Sequence, residues 1–175
     1  MDKANVLTRL RRNRWVRWLG MLLLVVLMYV VVRLWQGIGV EPYPAPPLAG
    51  TLLDGTGYSL ERESSETRLV YFWTSWCPIC KVQQGAIDAL MRDHDVITVV
   101  SLKSGTASEV QQYLTQASLN WRVLNDPEGE FAGTWKVRGV PKMYIVDRHG
   151  QVRFQISGYT SGIELRARLW FAEHF

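Results

Sequence analysis

The feature that most constrains this chain is the junction at residues 71 to 85, YFWTSWCPICKVQQG, which holds its only two cysteines, Cys77 and Cys80. Ahead of them, RLVYFW (68 to 73) is a dense β-branched and aromatic run of the length of a buried strand. Behind them, Ile79, Val82, Ala86, Ile87 and Leu90 recur at helical spacing from Pro78 to about Met91. A strand that runs straight into a helix places Cys77 at the helix N-terminus. Unsatisfied backbone N–H groups and the positive end of the helix dipole stabilise a thiolate there. Pro78 suits the first helical position, where its missing N–H costs nothing. Cys80 lies one turn further on the same face, close enough to close a ring with Cys77.

Three chemistries use such a pair. As a structural staple it is poorly placed: closing a four-residue loop constrains the unfolded chain by about 2 kcal/mol, against about 3 for a fifteen-residue loop. As a metal clip it supplies two thiolates, whereas a closed zinc site needs four donors. A copper(I) site could use the two sulfurs alone, or add a histidine. His94, His149 and His174 fall in loop and terminal positions, and no spacing brings them to the thiols. The redox reading fits the strand-to-helix context. It gives the thiols unequal roles, Cys77 as an exposed, low-pKa nucleophile and Cys80 as the shielded thiol that resolves the mixed disulfide.

Residues 18 to 32, WLGMLLLVVLMYVVV, carry no charge, and the apolar segment extends from Trp15 to Trp35 if Arg17 and Arg33 reach outward along their stems. A helix of that length spans about 31 Å, close to the hydrocarbon thickness of a bilayer. Lys3, Arg9, Arg11, Arg12, Arg14 and Arg17 precede the segment and only Arg33 lies near its far end, so the positive-inside tendency keeps the N-terminus cytoplasmic. No A-x-A-like cleavage site follows, which favours an uncleaved anchor over a signal peptide. The formal charge of +4 reflects this arm: seven of the 20 basic residues and one of the 16 acidic ones lie in residues 1 to 40, and the remainder carries a net −2. A domain with no basic excess has nothing to steer a nucleic acid.

Residues 41 to 50, EPYPAPPLAG, read as a semi-rigid proline-rich spacer, so that the expected organisation is a basic tail (1–14), a transmembrane helix (15–35), a linker (36–50) and a domain (51–175). Within the domain, TLLDGTGYSLE (51 to 61) reads as a hairpin, VITVVSL (96 to 102) as a second buried strand, and KMYIVD with QVRFQIS (142 to 157) as an antiparallel hairpin. Thr106 with Glu109, and Ser161 with Glu164, mark two helix starts, and a short helical piece covers 128 to 135. The expected order is β-β-β-α-β-α-α-β-β-α, an α/β fold with a parallel half and an antiparallel half and helices on both faces.

The segment LVYFWTSWCPICK (69 to 81) closely resembles the active-site stretch of thioredoxin-fold proteins, and WKVRGVPKMYIVDRHGQV (135 to 152) resembles their second signature, Gly-x-Pro followed by strand, turn and strand. With its anchor, the chain is most similar to the TlpA-like group of tethered thiol-disulfide oxidoreductases. It is also similar to the small thioredoxin-like member of the suppressor-of-copper-sensitivity systems. The resemblance implies a thioredoxin-like fold in a periplasmic domain held at the bacterial inner membrane. It implies no cofactor or resident metal beyond the redox-active Cys77–Cys80 pair, partner-protein disulfides as substrates and a membrane thiol reductase as electron donor. A disulfide-forming oxidant, or a module that hands on Cu(I) through the same sulfurs, remain the alternatives.

The same resemblance makes Pro141 the cis-proline that faces the disulfide and Val140 the residue whose backbone pairs with the partner. It gives Trp76 a shielding and partner-contacting role beside Pro78, and it has Lys81 favour the Cys77 thiolate electrostatically. Two positions depart from it. Relatives often place a buried carboxylate six residues before the first cysteine, where this chain has Tyr71, and a glutamate three residues after the second, where it has Gln83. Neither side chain exchanges a proton near neutral pH, so Cys80 is expected to exchange its proton through water or the partner.

Overall fold

The computed structural model describes residue 15 and residues 18–29, 41–61, 66–101 and 103–175. The chain divides into two units, Met1–Ile38 and Gly39–Phe175. In the first, residues 18–29 are helical and exposed. Among the described residues no helix is long and apolar enough to cross a membrane. The expected tail, the far end of the expected span and the start of the expected linker lie outside the described residues.

The second unit runs β1 (Tyr43–Pro44), β2 (Ala49–Thr51), β3 (Gly57–Ser59), β4 (Arg68–Trp73), α1 (Pro78–Leu90), β5 (Asp95–Ser101), α2 (Ala107–Gln116), β6 (Val123–Asp126), α3 (Glu130–Thr134), β7 (Lys142–Val146), β8 (Gln151–Ser157) and α4 (Gly162–His174). Six strands form one sheet in the order β1-β8-β7-β4-β5-β6, and β2 and β3 form a separate hairpin. β4, β5 and β6 are parallel, and β7 joins β4 antiparallel. This is the expected two-halved sheet, and β4 sits at its centre with every residue buried.

Two strands went unread in the sequence. β6 is a four-residue edge strand with only Val123 and Leu124 as its apolar signal. β1 falls inside the proline-rich segment. Tyr43 and Pro44 pair with Val152 and Gln151, and Leu48 is buried, so the expected spacer is from Tyr43 onward part of the domain. Proline is tolerated there because β1 is an edge strand, with no partner waiting for the missing N–H.

Strand alternation divides the core into two layers. Leu69, Tyr71 and Trp73 of β4 pack with Ile87 and Leu90 of α1, Leu165 and Leu169 of α4, and both cysteines. Val70 and Phe72 point the other way, into a layer with Leu48, Leu52, Trp135 and Tyr144. Helix starts follow the sequence signals: Thr106 and Glu109 form a reciprocal capping box, and the Ser161 hydroxyl accepts the Glu164 N–H. α1 leaves the C-terminal edge of the central strand, and its first turn is where the thiols stand.

Candidate active site

β4 ends at Trp73, and residues 74 to 76 turn the chain so that Cys77 becomes the N-cap of α1, with φ −81° and ψ 116°. Its sulfur accepts the Cys80 backbone N–H at 3.2 Å. The thiol thus takes the place of the oxygen that a serine or aspartate cap would supply, and the helix terminus acts on it directly. Pro78 follows in the first turn and is exposed, as are Trp76 and Lys81. Both thiols are free.

The expectation of an exposed Cys77 is corrected. Only 5% of its surface is accessible, and 1% of that of Cys80. The cover includes a loop far away in sequence: the Cys77 sulfur lies 3.9 Å from the Val140 carbonyl oxygen, and the Val140–Pro141 peptide is cis. Pro141 is buried, and its carbonyl accepts the Gly158 N–H at 2.9 Å, which ties the proline loop to the turn after β8. The cis-proline loop and the cysteine turn therefore meet, as the second signature implied.

The environment of Cys80 is apolar. Burial above all, and then the hydrogen bond with Cys77, push its thiol up to about 12 from an ordinary 9.0. Tyr71 stands on the same face of β4, fully buried, its ring edge-on to Trp121 at 6.0 Å between centroids. Burial foremost, then the charge of a Cys80 thiolate, raises the titration of its hydroxyl further. The sequence expectation that this group does not exchange protons near neutrality gains a physical cause.

Gln83, which stands where relatives often carry a glutamate, is completely buried, and its amide is paired. Its amide nitrogen donates to the Thr160 carbonyl at 2.8 Å, and its amide oxygen accepts the Thr160 N–H at 2.8 Å. This two-point pairing binds α1 to the segment between β8 and α4. No sequence signal marked Thr160, which sits 77 residues away. His94, His149 and His174 do not join the thiols. Among the described residues no group of three or more His, Cys, Asp or Glu side chains is arranged to hold a metal ion.

Residues 43–155 match the AhpC/TSA family. The chain belongs to that family. Among curated relatives, this AhpC/TSA member is 34% identical over 124 residues to a thioredoxin-like protein of Haemophilus influenzae, across 70% of this chain and 74% of that one. It is 28% identical to the thiol:disulfide interchange protein DsbE of Allochromatium vinosum, across 74% and 71%. Among solved structures, a putative thiol:disulfide interchange protein DsbE from Chlorobium tepidum superposes with a TM-score of 0.68 at 21% identity, covering 76% of this chain and 97% of the other. That likeness shows the thioredoxin-like fold. The family, the relatives and the Cys77–Cys80 spacing together make this AhpC/TSA member a protein-disulfide oxidoreductase of the thioredoxin-like type, acting on partner-protein thiols.

Proposed function

We propose that this chain is a membrane-anchored reductant of protein disulfides, with its domain in the periplasm. Cys77 attacks the partner's disulfide as a thiolate: the partner's S–S bond breaks, a Cys77–partner disulfide forms, and one partner sulfur leaves and takes up a proton. Cys80 then gives up its proton and attacks the Cys77 sulfur, releasing the second partner sulfur, which also takes up a proton. The partner gains two electrons and this chain is left with a Cys77–Cys80 disulfide, which a membrane thiol reductase returns to the dithiol. The pair itself is the only redox group the cycle needs.

The observation that carries this reading is the sulfur of Cys77 in the N-cap position, holding the Cys80 N–H beneath the Val140–Pro141 loop. In this reading Val140, Pro141, Pro78 and the exposed Trp76 receive the partner at Cys77, and the exposed Lys81 favours the Cys77 thiolate by its charge. The reducing direction is supported by resemblance to the tethered TlpA-like group, and the anchor by the uncharged run 18 to 32 with the basic residues before it.

Trapping tests the reading. In cells carrying the full chain with Cys80→Ala, Cys77 should hold mixed disulfides that sediment with membranes, and a membrane thiol reductase should be among them. Recovery of a quinone-linked oxidase instead would reverse the direction. Tight one-to-one Cu(I) binding by the reduced protein, with no disulfide exchange, would replace the reading with copper transfer.

A further inference from the structure

Several buried polar atoms around the site make no hydrogen bond of ordinary geometry, among them Trp73 Nε1, Thr74 Oγ1, Trp121 Nε1 and the hydroxyl of Tyr71. The Tyr71 hydroxyl is sealed from solvent and makes no hydrogen bond within ordinary limits of distance and angle. Buried hydroxyls are nearly always paired, and an exception calls for a reason. β4 supplies part of it: its alternation directs Tyr71, with Leu69 and Trp73, into the layer that contains Cys77 and Cys80. Edge-on packing against Trp121 fixes the ring. Its neighbour in that layer is the Cys80 thiol, with which it makes a weak hydrogen bond.

We propose that Tyr71 is a catalytic hydrogen-bond donor to Cys80, poorly engaged while Cys80 is a thiol and fully engaged when it becomes the thiolate that resolves the mixed disulfide. The proposal rests on the exchange cycle given above and assigns the residue that assists its second half. A neutral thiol is a weak acceptor, whereas O–H···S⁻ is a charge-assisted bond and much stronger. The interaction therefore grows along the reaction coordinate, which is the condition for it to raise a rate and not merely tighten the ground state.

Tyr71 does not take the proton. Burial holds its hydroxyl protonated, so it can only donate. In the resolving step Cys80–SH releases its proton to water or to the partner at the mouth of the site. The Cys80 thiolate forms a bond to the Cys77 sulfur, the Cys77–partner S–S bond breaks, and the departing partner sulfur takes up one proton, so protons and electrons balance. The titratable groups that face the Cys80 thiol are Cys77 from the start of α1 and Tyr71 from β4, with Tyr113 of α2 acting in turn on Tyr71.

The test is Tyr71→Phe, which deletes one oxygen. Because that oxygen makes only a weak contact with the Cys80 thiol in the folded dithiol, the variant should unfold close to the temperature of the parent. Reduced full-length protein is mixed with the aromatic disulfide 5,5′-dithiobis(2-nitrobenzoate) in a stopped-flow instrument, and two releases of coloured thiolate are followed. The first reports attack by Cys77, the second resolution by Cys80. The first should be unchanged within about twofold. The second should slow about 10- to 100-fold, equivalent to about 1.4 to 2.7 kcal/mol, and its pH dependence should move to higher pH. A second phase of unaltered rate and pH dependence overturns the assignment, and so does equal slowing of both phases. If the parent itself shows no second release, the exchange cycle fails and not this inference.

Discussion

Gln83 offers the sharpest test of how the site is held. Its amide is completely buried and exchanges two hydrogen bonds of 2.8 Å with the Thr160 main chain, itself 2% exposed. Gln83→Leu keeps the volume but strands the Thr160 N–H and C=O. Each buried group without a partner costs about 1–3 kcal/mol, so the variant should lose about 2–6 kcal/mol in denaturant unfolding. Gln83→Glu separates the two bonds by pH. An ionised carboxylate accepts the Thr160 N–H but turns its second oxygen on the Thr160 carbonyl, so only the protonated acid restores both contacts. The folded-state pKa of the new acid must then lie above its unfolded value of about 4.3. For a raised acid, stability is complete below the unfolded pKa and is lost as pH climbs through the folded one, with a limiting slope of about 1.4 kcal/mol per pH unit. Unfolding midpoints of the glutamate variant and the parent should coincide near pH 4 and diverge toward pH 8. A constant gap across that range, or a leucine variant within about 0.5 kcal/mol of the parent, would refute the idea that this pairing binds α1 to the segment before α4.

Two further outcomes follow from the same structure. Asp95 accepts from Arg122 at 2.9 Å and pairs with Arg68, which is 3% exposed, so Asp95→Asn removes the carboxylate charge beside a buried guanidinium that keeps its contact with the Leu60 carbonyl; chemical unfolding should show a loss of about 1–3 kcal/mol with thiol exchange rates unchanged. The Cys80 thiol, pushed up to about 12 by burial first, contributes stability that is complete below the ordinary thiol value of 9.0 and fades as pH rises toward 12; thermal melts of the reduced protein should fall more steeply above pH 9 than those of Cys80→Ala.

The parts of the fold that could be read from the sequence are those whose cause is local. β4 announces itself by an unbroken apolar run because it lies at the centre of a sheet covered on both faces. α1 and α2 are marked by proline and by a capping box, both within one turn of the helix start. What escaped depends on distant residues. The Pro-rich stretch looked like a tether because nothing in EPYPAPPLAG shows that Val152 and Gln151 will lie beside Tyr43 and Pro44. Cys77 looked exposed because its cover, Val140, is 63 residues away. Nothing near Gln83 in the sequence shows its pairing, since the main-chain groups it satisfies belong to Thr160. The unusual identity of positions 71 and 83 was visible from the resemblance alone, whereas their physical roles required the packing around them.

Those two identities bear on how the thiols come to differ. With a carboxylate near the second cysteine, the proton affinity of that thiol can be set by a neighbouring charge. Here the side chain beneath Cys80 is a phenol held protonated, and the one a turn further along α1 is an amide committed to Thr160. The asymmetry between the thiols must then come from position. Cys77 is the cap of the helix and takes an N–H bond from its first turn, while Cys80 sits inside that turn against β4, where desolvation is the dominant influence on its charge. Moving the pair by one residue along the strand-to-helix junction would remove both conditions together. The order of chemical events, attack by the first cysteine and resolution by the second, is in this way a consequence of where β4 stops and α1 begins.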